Sequence, residues 1–126
     1  MGHVYVDVGI RGAKGEVELR DVLVDTGSSY TVIPGDAIDE AGGWKLPHMV
    51  GLELGDGRVL KADAYAVVMA VGEREAPSIC VSFEGAKPVV GVLSLEGLGL
   101  KVDPVTGRLE PTRPKGLAYF YLGAVM

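Results

Sequence analysis

The sequence contains no asparagine and no glutamine, and it has only one cysteine and two histidines. A single cysteine excludes a disulfide within the chain, and two widely separated histidines lack the ligand spacing that is typical of zinc sites. We therefore expect neither a metal nor a cofactor. Depletion of the heat-labile amides is one feature of thermophile proteins, which favours a thermophilic source.

Long hydrophobic runs and basic clusters are also missing. The longest apolar runs, at 64–71 and 117–126, fall short of the roughly 18 residues that a membrane-spanning helix needs. Twelve Lys and Arg stand against 17 Asp and Glu, a net charge of −5, which disfavours binding to a phosphate backbone. The N-terminus shows no signal-peptide pattern. The sequence thus predicts a cytoplasmic protein that binds neither nucleic acid nor a membrane.

What the chain does contain is glycine and apolar residues. Nineteen glycines and 48% hydrophobic residues in a chain of 126 indicate a folded protein rich in turns, because disordered chains carry far fewer apolar residues. The length fits one compact domain. We predict a single domain over residues 1–126.

Alternation of apolar and polar residues predicts a chain made mostly of strands. The predicted strands cover 3–10, 16–24, 30–33, 49–54, 58–71, 78–83, 89–91, 100–102 and 108–110. Pro34 is typical of a first helical turn, and Gly42-Gly43 of a helix end, so a short helix is predicted over 35–41. A second short helix is predicted over 92–98.

Three other segments have specific predictions. Residues 43–47 are predicted as a connection. Its aromatic residue, Trp44, is expected to cover the core, and the alternative is that Trp44 and His48 line a substrate subsite. Cys80 lies in an apolar stretch and is predicted to be a small core residue. Residues 110–126 are predicted as a C-terminal linker and a candidate dimerisation strand, because the aromatic and apolar segment from Leu117 onward needs burial and an exposed edge strand invites aggregation.

The most informative stretch runs from Val22 to Pro34 and reads Val-Leu-Val-Asp-Thr-Gly-Ser-Ser-Tyr-Thr-Val-Ile-Pro. Asp25 stands at the end of an apolar strand, where Gly27 lets the chain turn sharply. We expect its carboxyl group to be shielded from water and to accept hydrogen bonds from Thr26, Ser28 and backbone N–H groups. Asp-Thr-Gly is by itself also a common turn sequence in which the aspartate caps a loop, so the flanking features decide between the two interpretations.

Apolar-apolar-Asp-Thr-Gly-Ser, followed by an apolar strand that ends in Ile-Pro, resembles the active-site segment of the aspartic proteases, specifically the retroviral-type, single-domain, retropepsin-like branch. Val89-Val90-Gly91, followed by a short leucine-bearing helix, is similar to the element that passes behind the catalytic loop in that family. The order and spacing of the two elements agree with the family, and the resemblance covers roughly residues 4–110.

A predicted hairpin adds to the resemblance. Its tip is Gly55-Asp56-Gly57, about thirty residues after Asp25, where Asp-Gly is a strong turn signal. The family carries the flap that closes over the substrate at this place. Asp56 is a departure, because viral flap tips are glycine-rich and apolar.

The resemblance implies an all-β fold, a closed or flattened β-barrel with one or two short helices that is active as a two-fold homodimer. Asp25 is the implied catalytic residue. The supporting residues of the catalytic loop are implied to be Thr26, which bonds across the two subunits, Gly27, which contacts the substrate through its backbone, and Ser28. Because the chain has one Asp-Thr-Gly, two chains must meet to supply two aspartates.

The implied activity is that of an aspartic endopeptidase, which hydrolyses peptide or protein substrates with a water molecule activated between two Asp25 carboxyl groups. A second hypothesis is a catalytically silent dimer of the same fold that binds peptides or serves as an assembly module. The intact Asp25-Thr26-Gly27 favours the first hypothesis, although a retained fold does not by itself imply a retained activity.

Overall fold

The computed structural model describes residues 3–119. Their elements are β1 (Val4–Arg11), β2 (Glu16–Val24), β3 (Thr31–Val32), α1 (Gly35–Ala41), β4 (Trp44–Glu53), β5 (Val59–Val71), β6 (Arg74–Ser82), β7 (Val89–Val90), α2 (Val92–Leu98), β8 (Leu100–Asp103) and β9 (Arg108–Pro111). Strands account for 52% and helices for 12% of the structure, which confirms a mostly β protein with two short helices. Neither of the helices in this described part is long and apolar enough to cross a membrane.

One mixed sheet contains seven of the strands described within residues 3–119. Their order is β1-β2-β7-β3-β6-β5-β4, and β1 also pairs with β5, so the sheet is partly ring-like. Most neighbours are antiparallel, but β2 pairs with β7 and β3 pairs with β6 in parallel. The hairpin of β8 and β9 forms a separate two-stranded sheet.

Strand β2 contains an irregularity that changes which of its side chains face the core. Val17 and Leu19 are inward in its first half, whereas Val22 and Val24 are buried in its second half. The alternation of inward and outward side chains shifts by one residue at Asp21. Asp21 has a φ of 52°, and its N–H donates to Asp7 Oδ1 at 3.0 Å. One extra residue in a strand reverses the facing of all later side chains. Asp25 consequently follows a strand whose last two valines point into the core.

Two clusters of apolar side chains form the interior. The larger one joins both helices to β1, β2, β5, β6 and β7, with Val8, Ile10, Ile33 and Met69 fully buried. The smaller one is centred on Ala62, Ala64 and Val81, and it lies under the hairpin of β4 and β5. Strands β5 and β6 therefore contribute to both clusters.

The predicted connection over residues 43–47 is wrong, because β4 already begins at Trp44. Strand β5 is long enough to pair with residues that precede the predicted start of β4 at Met49, and Trp44 pairs with Ala66. Pro47 is tolerated because it falls in the break in register between Lys45 and Met49, where a missing N–H costs no ladder bond. Trp44 is half-exposed and does not cover the core.

The C-terminal segment is described only in part. Strand β9 ends at Pro111, residues 112–119 contain no strand, and Leu117 and Tyr119 are exposed. Residues 120–126, which carry most of the candidate dimerisation strand, lie outside the described residues. That strand therefore stays a prediction.

Cys80 is fully buried in β6, as predicted, and burial raises the pKa of its thiol to about 12. Such a thiol supplies almost no thiolate at neutral pH, and the thiolate is the reactive form. We expect no alkylation of the native protein by iodoacetamide at about pH 8, and complete alkylation after unfolding in guanidinium chloride. Mass spectrometry of the intact chain measures both, and rapid labelling of the folded protein would contradict the burial of this thiol.

Candidate active site

The loop that carries Asp25 leaves β2 and turns back within three residues. The N–H of Asp25 donates to the carbonyl of Val90 at 2.9 Å, and the N–H of Ser28 donates to the carbonyl of Asp25 at 3.0 Å. The first bond continues the parallel pairing of β2 with β7, in which Leu23 faces Val89. Main-chain hydrogen bonds therefore hold Asp25 in position without help from any side chain.

Residues 89–92 support the loop from behind. Strand β7 lies between β2 and β3, so it contacts both ends of the loop that joins those strands. The N–H groups of Val92 and Leu93, at the start of α2, donate to the carbonyls of Ser28 and Ser29 at 2.8 and 3.2 Å. The structure thus brings together the two sequence motifs, Asp25-Thr26-Gly27-Ser28 and Val89-Val90-Gly91.

Gly91 is where the two segments come closest. A Cβ atom on this residue would clash with the carbonyl oxygen of Tyr30 and would lie 2.9 Å from that of Ser28. The φ of Gly91 is −93°, which any residue adopts. Space, rather than backbone conformation, therefore requires glycine here.

A chain of buried hydroxyl groups, which no sequence motif indicated, extends this support. Thr31 Oγ1 accepts a hydrogen bond from the N–H of Gly91 at 3.0 Å and is bonded to Ser94 Oγ, which in turn bonds Ser78 Oγ at 2.7 Å. Thr31, Ser78 and Ser94 are all buried. The sequence did contain one indication of this chain: a hydroxyl residue at an otherwise apolar position of a strand or helix, because a buried hydroxyl group needs a hydrogen-bond partner.

The carboxyl group of Asp25 differs from expectation in its surroundings. Asp25 is exposed in the single chain, and its Oδ1 accepts a hydrogen bond from the N–H of Gly27 at 2.9 Å. Ser28 does not bond it, because its hydroxyl donates to the carbonyl of Tyr30 at 2.8 Å. Thr26 is exposed beside it. The chain therefore presents Asp25 and Thr26 to solvent instead of shielding them.

The predicted hairpin is present, with its tip at Gly55-Asp56-Gly57. Gly57 has a φ of 87°, and the N–H of Leu54 donates to the carbonyl of Arg58 at 2.7 Å. Asp56 forms an ion pair with Arg58, with Oδ2 and Nε 2.6 Å apart. Both residues are exposed, so the tip is charged but locally neutralised.

The smaller apolar cluster connects this hairpin with the Asp25 loop. Its partly buried members include Leu46, Val50, Leu52 and Leu60 from β4 and β5, together with Tyr30 and Val32 from the segment that follows the loop. Hairpin and loop therefore share one apolar layer.

Two arginines that the sequence analysis did not single out hold the end of α2. Arg74 Nη1 donates to the carbonyls of Leu98 and Gly99, each at 3.1 Å. Arg113 donates to the carbonyls of Glu96 and Gly97 at 2.9 and 2.8 Å. The last carbonyls of a helix lack partners within the helix, and these two side chains supply them.

Within residues 3–119, no three His, Cys, Asp or Glu side chains lie close enough together to hold a metal ion. No protein-family model matches the chain, and no curated protein sequence matches it either.

The space around Gly91 leads to a testable prediction. We expect Gly91→Ala to lower the free energy of unfolding by about 2–4 kcal/mol, because the added methyl group forces the Tyr30 and Ser28 carbonyls away from their present positions. Urea unfolding followed by circular dichroism measures the change. Gly51→Ala is the matched control, since open space surrounds that position in β4, and it should change the value by no more than about 0.5 kcal/mol. Equal effects of the two substitutions would contradict the close approach.

Proposed function

We propose that the protein is a retropepsin-like aspartic endopeptidase that hydrolyses peptide bonds as a two-fold homodimer. The observation that carries the proposal is the Asp25-Thr26-Gly27 loop, which is held on Val89-Val90-Gly91 by main-chain hydrogen bonds and presents its carboxyl group to solvent. A turn in which Asp merely caps a loop needs no such second segment behind it. This favours a positioned functional carboxyl group.

The proposal requires two chains. One protomer supplies one Asp-Thr-Gly, and aspartic proteolysis uses two carboxyl groups side by side. Asp25 and Thr26 are both exposed on the single chain, so a partner can approach them without rearrangement of the loop. A closed two-fold axis beside Asp25 brings the same residues of both chains together, and Thr26 then bonds across the axis.

Two carboxyl groups at such a distance cannot both ionise readily, so the pair holds one proton. The ionised carboxylate takes a proton from the attacking water while the water oxygen bonds to the scissile carbonyl carbon. The protonated carboxyl group donates its proton to the carbonyl oxygen. Collapse of the tetrahedral intermediate then breaks the C–N bond and returns a proton to the leaving amine. The Gly27 N–H, which bonds Asp25 Oδ1 at 2.9 Å, orients the carboxyl group.

The hairpin of β4 and β5 serves as the flap in this proposal. The apolar layer that it shares with Tyr30 and Val32 transmits closure over a substrate to the segment directly after the catalytic loop. The ion pair of Asp56 with Arg58 keeps the charged tip compatible with an approach to a second, identical tip.

We expect Asp25→Asn to lower peptide cleavage by roughly 100- to 10,000-fold, because an amide of the same shape cannot take up and release the proton. The measurement is digestion of a diverse peptide mixture between about pH 3 and pH 8, read by mass spectrometry. The variant should keep the circular dichroism spectrum of the wild type.

Asp39→Asn is the matched control, because Asp39 is an exposed aspartate on α1, outside the Asp25-Thr26-Gly27-Ser28 loop. It should cleave like the wild type. Undiminished cleavage by Asp25→Asn would refute the site assignment. A wild type that cuts no peptide at any pH would refute the peptidase and leave the non-enzymatic binding module.

The dimer is tested separately by light scattering with size-exclusion chromatography. We expect a mass of twice 13.2 kDa at micromolar concentration, for both the wild type and Asp25→Asn, because the substitution changes no exposed apolar surface. A monomer at these concentrations would contradict a mechanism that needs two Asp25 side chains.

A further inference from the structure

A cavity of about 400 Å³ lies at the end of β3 opposite the Asp25 loop. Its walls come from the start of α1 at Gly35, from the paired residues Asp63 and Ser82 of β5 and β6, and from the turn over 83–86. No residue of the Asp25 loop lines this cavity. Pockets for small ligands measure about 300–1,000 Å³, so the cavity has room for one long side chain.

The cavity is negatively charged. Three carboxylates line it, those of Asp36, Asp63 and Glu84, and its lining contains no Lys, Arg or His. Lys45 Nζ lies 3.7 Å from Asp63 Oδ2, whereas neither Asp36 nor Glu84 forms an ion pair with any residue in the described part of the chain. The three carboxylates do not form a group that could hold a metal ion. The charge therefore favours an organic cation.

The hydroxyl group of Ser82 is a second, independent feature of the cavity. Only 9% of this residue is exposed, yet no hydrogen bond joins its Oγ to another group within residues 3–119, whereas the buried hydroxyls of Ser78 and Ser94 bond each other. Every fully buried side-chain oxygen in that range has a partner, so Ser82 Oγ must reach the cavity. A Cβ atom on Gly35 would lie 3.6 Å from it. A ligand that donates a hydrogen bond here satisfies an otherwise costly buried acceptor.

Two aromatic residues complete the walls. Tyr65 and Phe83 are partly buried and both line the cavity. Cations are attracted to the faces of aromatic rings. A guanidinium group stacks on such rings, is more weakly hydrated than an ammonium group, and has five donors in one plane. It can therefore bond a carboxylate and a hydroxyl group at the same time.

We propose that this cavity binds the guanidinium group of an arginine side chain in a peptide. The guanidinium group donates to the carboxylates of Asp36 and Glu84 and to Ser82 Oγ, with its plane against an aromatic ring. Asp36 and Glu84 are exposed and Ser82 is buried, so the side chain enters past the carboxylates and ends at the hydroxyl group. This binding goes beyond the proposed peptidase and does not depend on it.

The test uses the tripeptide acetyl-Ala-Arg-Ala-amide as the probe. It is titrated into the ¹⁵N-labelled protein, and the main-chain amide signals of Glu84 and Gly85 are followed by NMR. We expect saturable shifts of these signals. Replacing arginine by citrulline, which has the same shape without the charge, should raise the Kd about tenfold or more. Replacing it by lysine should raise the Kd about threefold or more, because an ammonium group lacks the planar array of donors.

Two substitutions locate the site. Ser82→Ala and Glu84→Gln should each raise the Kd of the arginine tripeptide by about 3- to 10-fold, because each removes an acceptor of a charged donor. Glu40→Gln is the matched control for the loss of charge, since Glu40 is exposed on α1 and does not line the cavity. It should leave the Kd unchanged. All variants should keep the circular dichroism spectrum of the wild type.

Several outcomes would overturn the proposal: no saturable shift with the arginine tripeptide, equal binding of the citrulline or lysine tripeptide, shifts confined to residues 25–28, or an unchanged Kd in both Ser82→Ala and Glu84→Gln. The readout is binding, so these outcomes do not depend on cleavage. Binding with the expected selectivity by a protein that cuts no peptide would support the arginine site and refute the peptidase.

Discussion

The close approach of Gly91 to the carbonyls of Ser28 and Tyr30 is the constraint on which the rest of the site depends. It allows β7 to insert between β2 and β3, and it places the start of α2 where its N–H groups reach the loop. A side chain at Gly91 displaces the loop and separates Thr31 Oγ1 from the Gly91 N–H. The absence of a Cβ atom at Gly91 therefore allows the loop, two strands and a helix to pack together.

The orientation of Asp25 has a second, independent origin in β2. If the alternation of Val17 and Leu19 continued without the irregularity at Asp21, Leu23 and Asp25 would face the core. The extra residue places Val22 and Val24 there instead. The hydrogen bond from the Asp21 N–H to Asp7 Oδ1 helps to hold a non-glycine residue at positive φ. The irregularity at Asp21 therefore contributes to the exposure of the Asp25 carboxyl group, four residues later.

The sequence was sufficient to predict most elements, because apolar alternation, Pro34, the helix-ending glycines and the Asp-Gly turn act locally. The family resemblance also implied that Val89-Val90-Gly91 lies behind Asp25-Thr26-Gly27, and main-chain hydrogen bonds connect these two segments. The sequence failed where partners are distant: Trp44 joins a strand because β5 is long, and Thr31 meets Ser94 only after folding. The exposure of Asp25 was missed for the same reason, since it depends on a bulge that no local pattern indicated.

The parallel pairing of β2 with β7 has a consequence for how the protein is made. Leu23 and Val89 are paired although 66 positions separate them in the chain, from 23 to 89. Contacts at such a separation form slowly, because a long loop must close before they contribute any stability. During synthesis, the Asp25 loop has no support until the ribosome has released Gly91 and α2. The Asp25 carboxyl group therefore acquires its fixed position only after β7 and the start of α2 have been made.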